Sequence, residues 1–467
     1  MDDRVAQAEP AGTLVEQVMR EVRQRIARRA TAAGVRLPSI RAQAQALGVS
    51  KSTVVEAYDR LAAEGVIRSR PGSGYFVAGH LPPLSLADIG PRLDRAVDPL
   101  WVSRQSLEAG DTILKPGCGW LPPSWMPGAA MRKCLRGLAR GDDSVLADYG
   151  PPLGHPGLRQ VLSRRLAERA VEATPDQILL TDSGTQALDL VCRFLLEPGD
   201  TVLVDDPCYF NFLALLRAHR ARVVGVPFTP TGPDVERFAA ALAEHRPRLY
   251  LTNATLHNPT GATLSPVVAH RILTLAAEAG LTIVEDDIFA DFEERPTPRL
   301  AAFDGLDRVL HIGSFSKTLS ASVRCGFVAA RPDWIEALAD LRIATAFGGG
   351  RFAAAFVQGV LTDGSYRKHM EGVRQRLARA MAETARRLEG LGIRPWTEPN
   401  GGLFLWCSLP DGLDAGEVAR RALADGVVLA PGNAFSLSGN AGRFLRFNVA
   451  QCGDPRIPSV LARAMGA

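Results

Sequence analysis

The chain has 467 residues, of which 46% are hydrophobic and 22% charged, with a formal net charge of +4. Those values suit a soluble globular protein of two or three domains and exclude a disordered or fibrous chain. No apolar run is long enough to cross a bilayer, and the polar, acidic start MDDRVAQAEP does not read as a signal peptide. Seven scattered cysteines (118, 134, 192, 208, 325, 407, 452) lack any C-x-x-C pair, so no disulfide framework or metal site is expected, and the default location is a reducing cytoplasm.

The charge excess lies wholly in residues 1–77, which hold twelve Lys/Arg and eight Asp/Glu; the remaining 390 residues hold 42 of each. A basic module on a neutral body suggests a nucleic-acid partner. Leu14, Val18, Val22 and Ile26 recur at helical spacing. Ser39 can cap a short helix ending near Leu47, Gly48 makes a turn, and Ser50 can cap a second helix to about Glu64. Val54, Ala57, Tyr58 and Leu61 form the second helix's buried stripe. VIRSR and YFVAG, on either side of P-G-S-G, predict the two strands of a wing. Two helices around a glycine turn make a helix-turn-helix. Ser50, Lys51, Ser52 and Thr53 open the second helix as donors suited to the major groove. Arg36 and Arg41 flank the first helix within reach of phosphates, and Arg68, Arg70 and Gly72 lie on the wing.

The tract LPSIRAQAQALGVSKSTVVEAYDRLAAEGVIRSRPGSGYFV resembles the winged helix of GntR-type bacterial transcription regulators. The resemblance implies a DNA-binding domain over residues 1–77 with double-stranded operator DNA as partner. Lys51 stands where that family more often has arginine; lysine still contacts phosphate or guanine, without the bidentate fork.

Residues 78–113 are rich in proline and polar residues with weak periodicity and predict a linker. From about 114, helical patterns alternate with apolar strand-like runs at 177–184, 201–207, 221–228, 248–253, 281–287, 308–315 and 325–330. This predicts an α/β body with a mainly parallel seven-stranded sheet over 114–467, with a smaller subdomain mainly in 331–467. In such sheets ligands gather at the C-terminal strand ends.

Five strand-end clusters stand out. SGTQALDLV (183–191) opens a helix whose free N–H groups suit a phosphate. Tyr209 follows a strand in DDPCYF, LHNPTG supplies Asn258, VEDD puts Asp286 at a strand end, and SFSKTLSASVR supplies Ser314, Lys317 and Arg324. Lysine is rare here: the chain has five (51, 115, 133, 317, 368) against forty-nine arginines. Each cluster alone has an ordinary reading, as a loop, a turn, a helix cap or a surface cation. Together they suit one ligand: a phosphate, a phenolic oxygen, a protonated pyridine nitrogen, a planar ring and an aldehyde, which is pyridoxal 5′-phosphate.

The order of these clusters is similar to that of fold-type I, aspartate-aminotransferase-like proteins over nearly all of 114–467. The resemblance implies that Lys317 forms the Schiff base and that Asp286 keeps the ring nitrogen protonated. It further implies that Asn258 bonds the ring oxygen, Tyr209 stacks on the ring, and Gly184, Thr185, Gln186, Ser314 and Arg324 hold the phosphate. Tyr149, in DYGPPLGHPGLR, matches a tyrosine that reaches the partner subunit's phosphate, and Arg446 matches the clamp for the substrate's α-carboxylate. Phe289 stands where that family usually has a tyrosine sharing the ring oxygen, and a phenylalanine cannot donate that hydrogen bond.

A GntR-like winged helix joined by a long linker to such a body resembles the MocR/GabR family of regulators. That family implies a homodimer that senses an amino acid or amine as an external aldimine and relays closure of the body to the winged helices. The rival expectation is a working class I/II aminotransferase moving an amino group between an amino acid and a 2-oxo acid, since Lys317, Asp286, Asn258 and Arg446 are all present.

Overall fold

The computed structural model describes residues 13–27, 35–70, 74–77, 99–110 and 112–466. The chain divides into two units, Met1–Gly90 and Pro91–Ala467. In the first, α1 (Leu14–Ala27), α2 (Ile40–Leu47) and α3 (Lys51–Ala63) precede a hairpin of β1 (Ile67–Arg70) and β2 (Gly74–Val77). The caps fall where the sequence puts them. Ser39 Oγ accepts the Ala42 N–H at 3.2 Å, and Ser50 Oγ accepts that of Thr53 at 3.1 Å. Gly48 takes φ 66°, a left-handed conformation that glycine adopts without a Cβ clash. Val54, Ala57, Tyr58 and Leu61 are buried against Val18, Val22 and Ile67. Leu14 differs from expectation. It is 55% exposed because it occupies the first turn of α1, before the helix reaches the core, and Val15 and Met19 pack instead. Arg36 bridges to Phe76, and the Leu37 N–H donates to the Tyr75 carbonyl at 2.8 Å, so the chain before α2 pairs with the wing.

In the second unit, eight strands make one sheet. They are β3 (Ile178–Thr181), β4 (Thr201–Asp206), β5 (Arg222–Thr229), β6 (Gly232–Pro233), β7 (Leu249–Thr252), β8 (Thr282–Asp286), β9 (Val309–Ser314) and β10 (Gly326–Ala329). Their order is β3-β10-β9-β8-β7-β4-β5-β6. The five central strands from β9 to β5 run parallel, while β10 is antiparallel to both its neighbours and the two-residue β6 is antiparallel to β5. The seven expected strands are present, and β6 is an addition too short for any periodicity to reveal.

Alternate residues enter two different cores. Leu203, Tyr250, Ile283 and Val309 face one side, while Val202, Leu249, Val284 and Leu310 face the other. Both faces are covered, which is why these strands read as continuous apolar runs. Chain reversal after β4, β7, β8 and β9 places Tyr209, Asn258, Asp286 and Lys317 along one edge of the sheet.

A second sheet, ordered β11-β12-β14-β13, is built from β11 (Arg394–Pro395), β12 (Phe404–Ser408), β13 (Ala430–Pro431) and β14 (Phe444–Asn448). Leu114 adds to it by a parallel bridge to Val427, with the Val428 N–H donating to the Leu114 carbonyl at 2.8 Å. The helices Pro332–Ala346 and Arg351–Thr362 pack on the helices Gly184–Leu195 and Gly128–Leu138 of the large sheet's layers. These two helices thus lie with the large sheet's helices, while Leu114 joins the second sheet's side.

The expected linker 78–113 also differs in its second half; residues 78–98 lie outside the described residues. Pro99–Glu108 forms a helix, α4, that packs against the helix Phe210–Ala218. Trp101, Val102, Gln105 and Ser106 are buried at i, i+1, i+4 and i+5, the spacing of one helical face, while Leu107 points outward at 75% exposure. Lys115 Nζ donates to the Ala109 carbonyl at 2.8 Å, tying the end of α4 to the body.

Candidate functional site

Lys317 follows β9 in a half-buried position facing Arg446, Cys118 and Asp286. Burial first, and the Arg446 cation with it, lower its pKa from 10.5 to about 8 against opposing pulls from Cys118 and Asp286. A lysine at about 8 holds a useful fraction of neutral, nucleophilic amine near pH 7. Asp286 ends β8 and is buried; desolvation raises its pKa to about 7, opposed by Lys317 and by the Ile288 N–H, which donates to Oδ1 at 3.3 Å. A buried carboxylate held that high is stabilised by a cation placed beside it, which is the role a protonated pyridine nitrogen fills.

Arg446 lies in β14 with neighbours on both sides, so its stem cannot swing. It is 1% exposed, donates from Nη1 to Asn258 Oδ1 and from Nη2 to the Gly117 carbonyl, both at 2.7 Å, and its guanidinium sits 4.3 Å from the Phe404 ring centre. No carboxylate pairs with it among the described residues, and burial lowers its pKa to about 10. Its Nε has no partner among the described residues. A desolvated, unneutralised arginine is a ready receptor for a ligand carboxylate. Asn258 is fixed from behind, its N–H donating to Asn253 Oδ1 at 3.0 Å.

Ser183 caps the helix Gly184–Leu195 by accepting the Gln186 N–H at 3.0 Å, which leaves the first N–H groups for an anion. A Cβ at Gly184 would lie 3.3 Å from Ile288 and 3.4 Å from Ser314 Cβ, so the three residues form one cradle. Thr185 is exposed beside it. Gln186 departs from the expected phosphate role. Its side chain folds back to accept the Asp182 N–H at 2.6 Å, and its own N–H is taken by Ser183, so it serves the turn. Arg324 is exposed and left-handed at φ 55°, near enough to influence Lys317. Tyr149 does not join the cluster. It is 72% exposed, with its ring 5.0 Å edge-on to the exposed Phe347.

One cavity is lined by Lys317, Arg446, Asn258, Tyr209 and Phe289 together. Phe289 is 2% exposed and packs 5.3 Å from Phe404, so a ring, not a hydroxyl, faces the site. The opposite wall was not legible in the sequence: Val102, Ser103 and Ser106 of α4, and Cys118, Gly119 and Trp120 of the loop 117–125. A Cβ at Gly119 would lie 3.8 Å from Lys317 Nζ. A larger cavity of about 470 Å³, beside Arg374 and Gly401, holds none of the converging residues.

These donors fit pyridoxal 5′-phosphate: a depressed lysine, an elevated carboxyl, a buried amide, an aromatic face and a helix N-terminus with a glycine cradle. In the first unit, Arg36, Arg41, Lys51 and Ser52 are exposed. Ser50 is spent on its cap and also bonds the hydroxyls of Ser52 and Thr53 at 2.8 and 2.7 Å. Gly72 lies outside the described residues.

Comparison with known proteins agrees with this division. Residues 121–463 match the family model for aminotransferase class I and II, and residues 14–77 match that for bacterial regulatory proteins of the gntR family. The HTH-type transcriptional regulator YdcR of Escherichia coli K12 is 32% identical over 448 residues, covering 93% of this chain and 94% of its own length. YisV of Bacillus subtilis, also named an HTH-type transcriptional regulator, is 27% identical over 457 residues, covering 95% of this chain and 93% of its own. Among solved structures, LysN, an alpha-aminoadipate aminotransferase of Thermus thermophilus complexed with N-(5′-phosphopyridoxyl)-L-leucine, superposes with a TM-score of 0.72 at 28% identity, covering 80% of this chain and 95% of that one.

Proposed function

This chain belongs to the aminotransferase class I and II family and carries a gntR-type winged helix, the arrangement of MocR/GabR transcription regulators, and we propose that an amino acid or amine captured beside Lys317 sets its affinity for operator DNA. The observation that carries this is the pairing of a depressed lysine with a desolvated arginine in one cavity. When bound, pyridoxal 5′-phosphate supplies an aldehyde that condenses reversibly with amines and a ring that withdraws electrons. The chain's own groups do the rest. Lys317 would hold the cofactor's aldehyde through the neutral fraction of its amine. Asp286 holds the ring-nitrogen proton by its charge. Tyr209 covers the ring, and Asn258 presents its amide to the ring oxygen. Arg446 clamps the effector's carboxylate, which orients its amine toward the Lys317 side.

The active form is a homodimer in this reading. Tyr149, Phe347 and Leu146 are exposed at 72%, 67% and 62%, a patch suited to a second copy. That contact would carry Tyr149 toward the partner's phosphate cradle. The setting is the cytoplasm, where the DNA is and where the seven free cysteines stay reduced. Arg41 and Lys51 anchor the winged helix on phosphate and groove.

The test is fluorescence anisotropy on the chain's own upstream DNA, with the cofactor-loaded protein and a panel of amino acids and amines. An affinity change that tracks the cofactor's visible band supports the reading. No DNA binding at moderate salt under any condition overturns it. Steady turnover with a 2-oxo acid, without any change in DNA affinity, would favour a working aminotransferase instead.

A further inference from the structure

The wall of the cavity facing Lys317 and Arg446 is α4, and α4 is the first described element after the linker. Val102, Ser103 and Ser106 line the cavity at i, i+1 and i+4, one helical face. Ser106 is 2% exposed and its hydroxyl has no hydrogen-bond partner among the described residues. A buried helical serine ordinarily satisfies itself by donating to the carbonyl four residues back. Ser106 does not, so its donor and acceptor remain unmet at the cavity wall. An unmet buried hydroxyl is costly, and a ligand that meets it is favoured over one that does not.

The charges on the walls narrow the ligand. Lys317 and Arg446 are the only charged side chains lining the cavity among the described residues, and both have assigned tasks. A charged effector side chain would find no further counter-ion on these walls, which disfavours its burial. Val102, Trp120 and Phe210 supply the apolar remainder.

Resting on the function proposed above, we propose that the effector is an amino acid with an uncharged hydrogen-bonding side chain, a hydroxyl or an amide, read by Ser106. Reading it orders α4 as the cavity wall, and Lys115, bonded to the Ala109 carbonyl, holds the C-terminal end of that helix.

The experiment uses the full cofactor-loaded chain with near-isosteric pairs as probes: L-threonine against L-valine, and L-asparagine against L-leucine, with L-glutamate and L-lysine as charged controls. Affinity is read from the cofactor's visible band, and DNA binding in parallel. The wild type should prefer one polar member of a pair by about tenfold, the value of a neutral buried hydrogen bond. Ser106→Ala should erase that preference and leave the apolar partner's affinity unchanged, which also shows that the variant folds and keeps its cofactor. Backbone hydrogen exchange over 99–108 should slow with the preferred probe in the wild type and not in Ser106→Ala. Equal affinity within both pairs, preference for a charged control, or equal losses for all probes in Ser106→Ala would each overturn the assignment of Ser106. A response of the visible band to none of the amino acids would instead overturn the underlying sensor reading.

Discussion

Lys317 gives the most direct quantitative test. Its pKa is lowered from 10.5 to about 8, first by burial and then by the Arg446 cation. At pH 7 an amine of pKa 8 is about one-tenth neutral, whereas one at 10.5 is neutral in about 3 of 10,000 molecules, a difference of roughly 300-fold in reactive base. Covalent uptake of pyridoxal 5′-phosphate by the cofactor-free protein should therefore rise about tenfold per pH unit below 7, bend near pH 8 and level above 9. A depressed lysine pKa also means that the fold binds this proton less tightly than the unfolded chain does. Lys317 thus favours the cofactor-free fold progressively as pH rises from about 8 toward 10.5. Stopped-flow absorbance across pH 6–10 measures the uptake profile. Two variants fix the cause. Arg446→Met removes a cation that lowers the pKa, so its midpoint should move up. Asp286→Asn removes a carboxylate that raises it, so its midpoint should move down. A midpoint near that of a free lysine, or shifts of the same sign in both variants, would refute the electrostatic account.

Arg299 is fully buried, with Nε 3.0 Å from Asp287 Oδ2 and Nη2 bonded to Glu293; Arg299→Ala strands two buried carboxylates and should cost about 3–5 kcal/mol in urea denaturation, and a loss under 1 kcal/mol would show that the network is wet. Arg41→Ala and Lys51→Ala should each weaken operator binding and reduce the slope of log affinity against log salt by about 1, with the visible absorbance unchanged. Phe347→Asp puts a charge into the exposed patch beside Tyr149 and should shift sedimentation from dimer toward monomer and loosen the cofactor; an unaltered dimer would place the interface elsewhere.

Much of the first unit was legible locally. Ser39, Ser50 and Gly48 act within three or four residues of themselves, and Val54, Ala57, Tyr58 and Leu61 keep one helical face whatever the rest of the chain does. The strand-end clusters were legible for a related reason. Parallel strands buried on both faces read as apolar runs, and polar residues just past such runs fall at one edge of the sheet. Gln186 shows the limit: its place beside Gly184 is local, but its side chain chose Asp182 over the anion side.

By itself, then, the sequence determined the two modules, the cofactor chemistry and the strand ends that carry Tyr209, Asn258, Asp286 and Lys317, because periodicity and capping act over a few residues. Only the tertiary structure decided what faces them. The segment Pro99–Glu108 carries proline, two serines and polar breaks, and nothing local distinguishes it from linker. It becomes a buried wall because Trp101 and Val102 find their apolar partners more than a hundred residues away, on the helix Phe210–Ala218. Arg446 was marked in the sequence by resemblance alone; its reach is fixed by pairing between β12 and β13, and its partners Gly117 and Asn258 lie 329 and 188 residues away. Contacts of that separation depend on how whole elements pack, which no window of sequence contains.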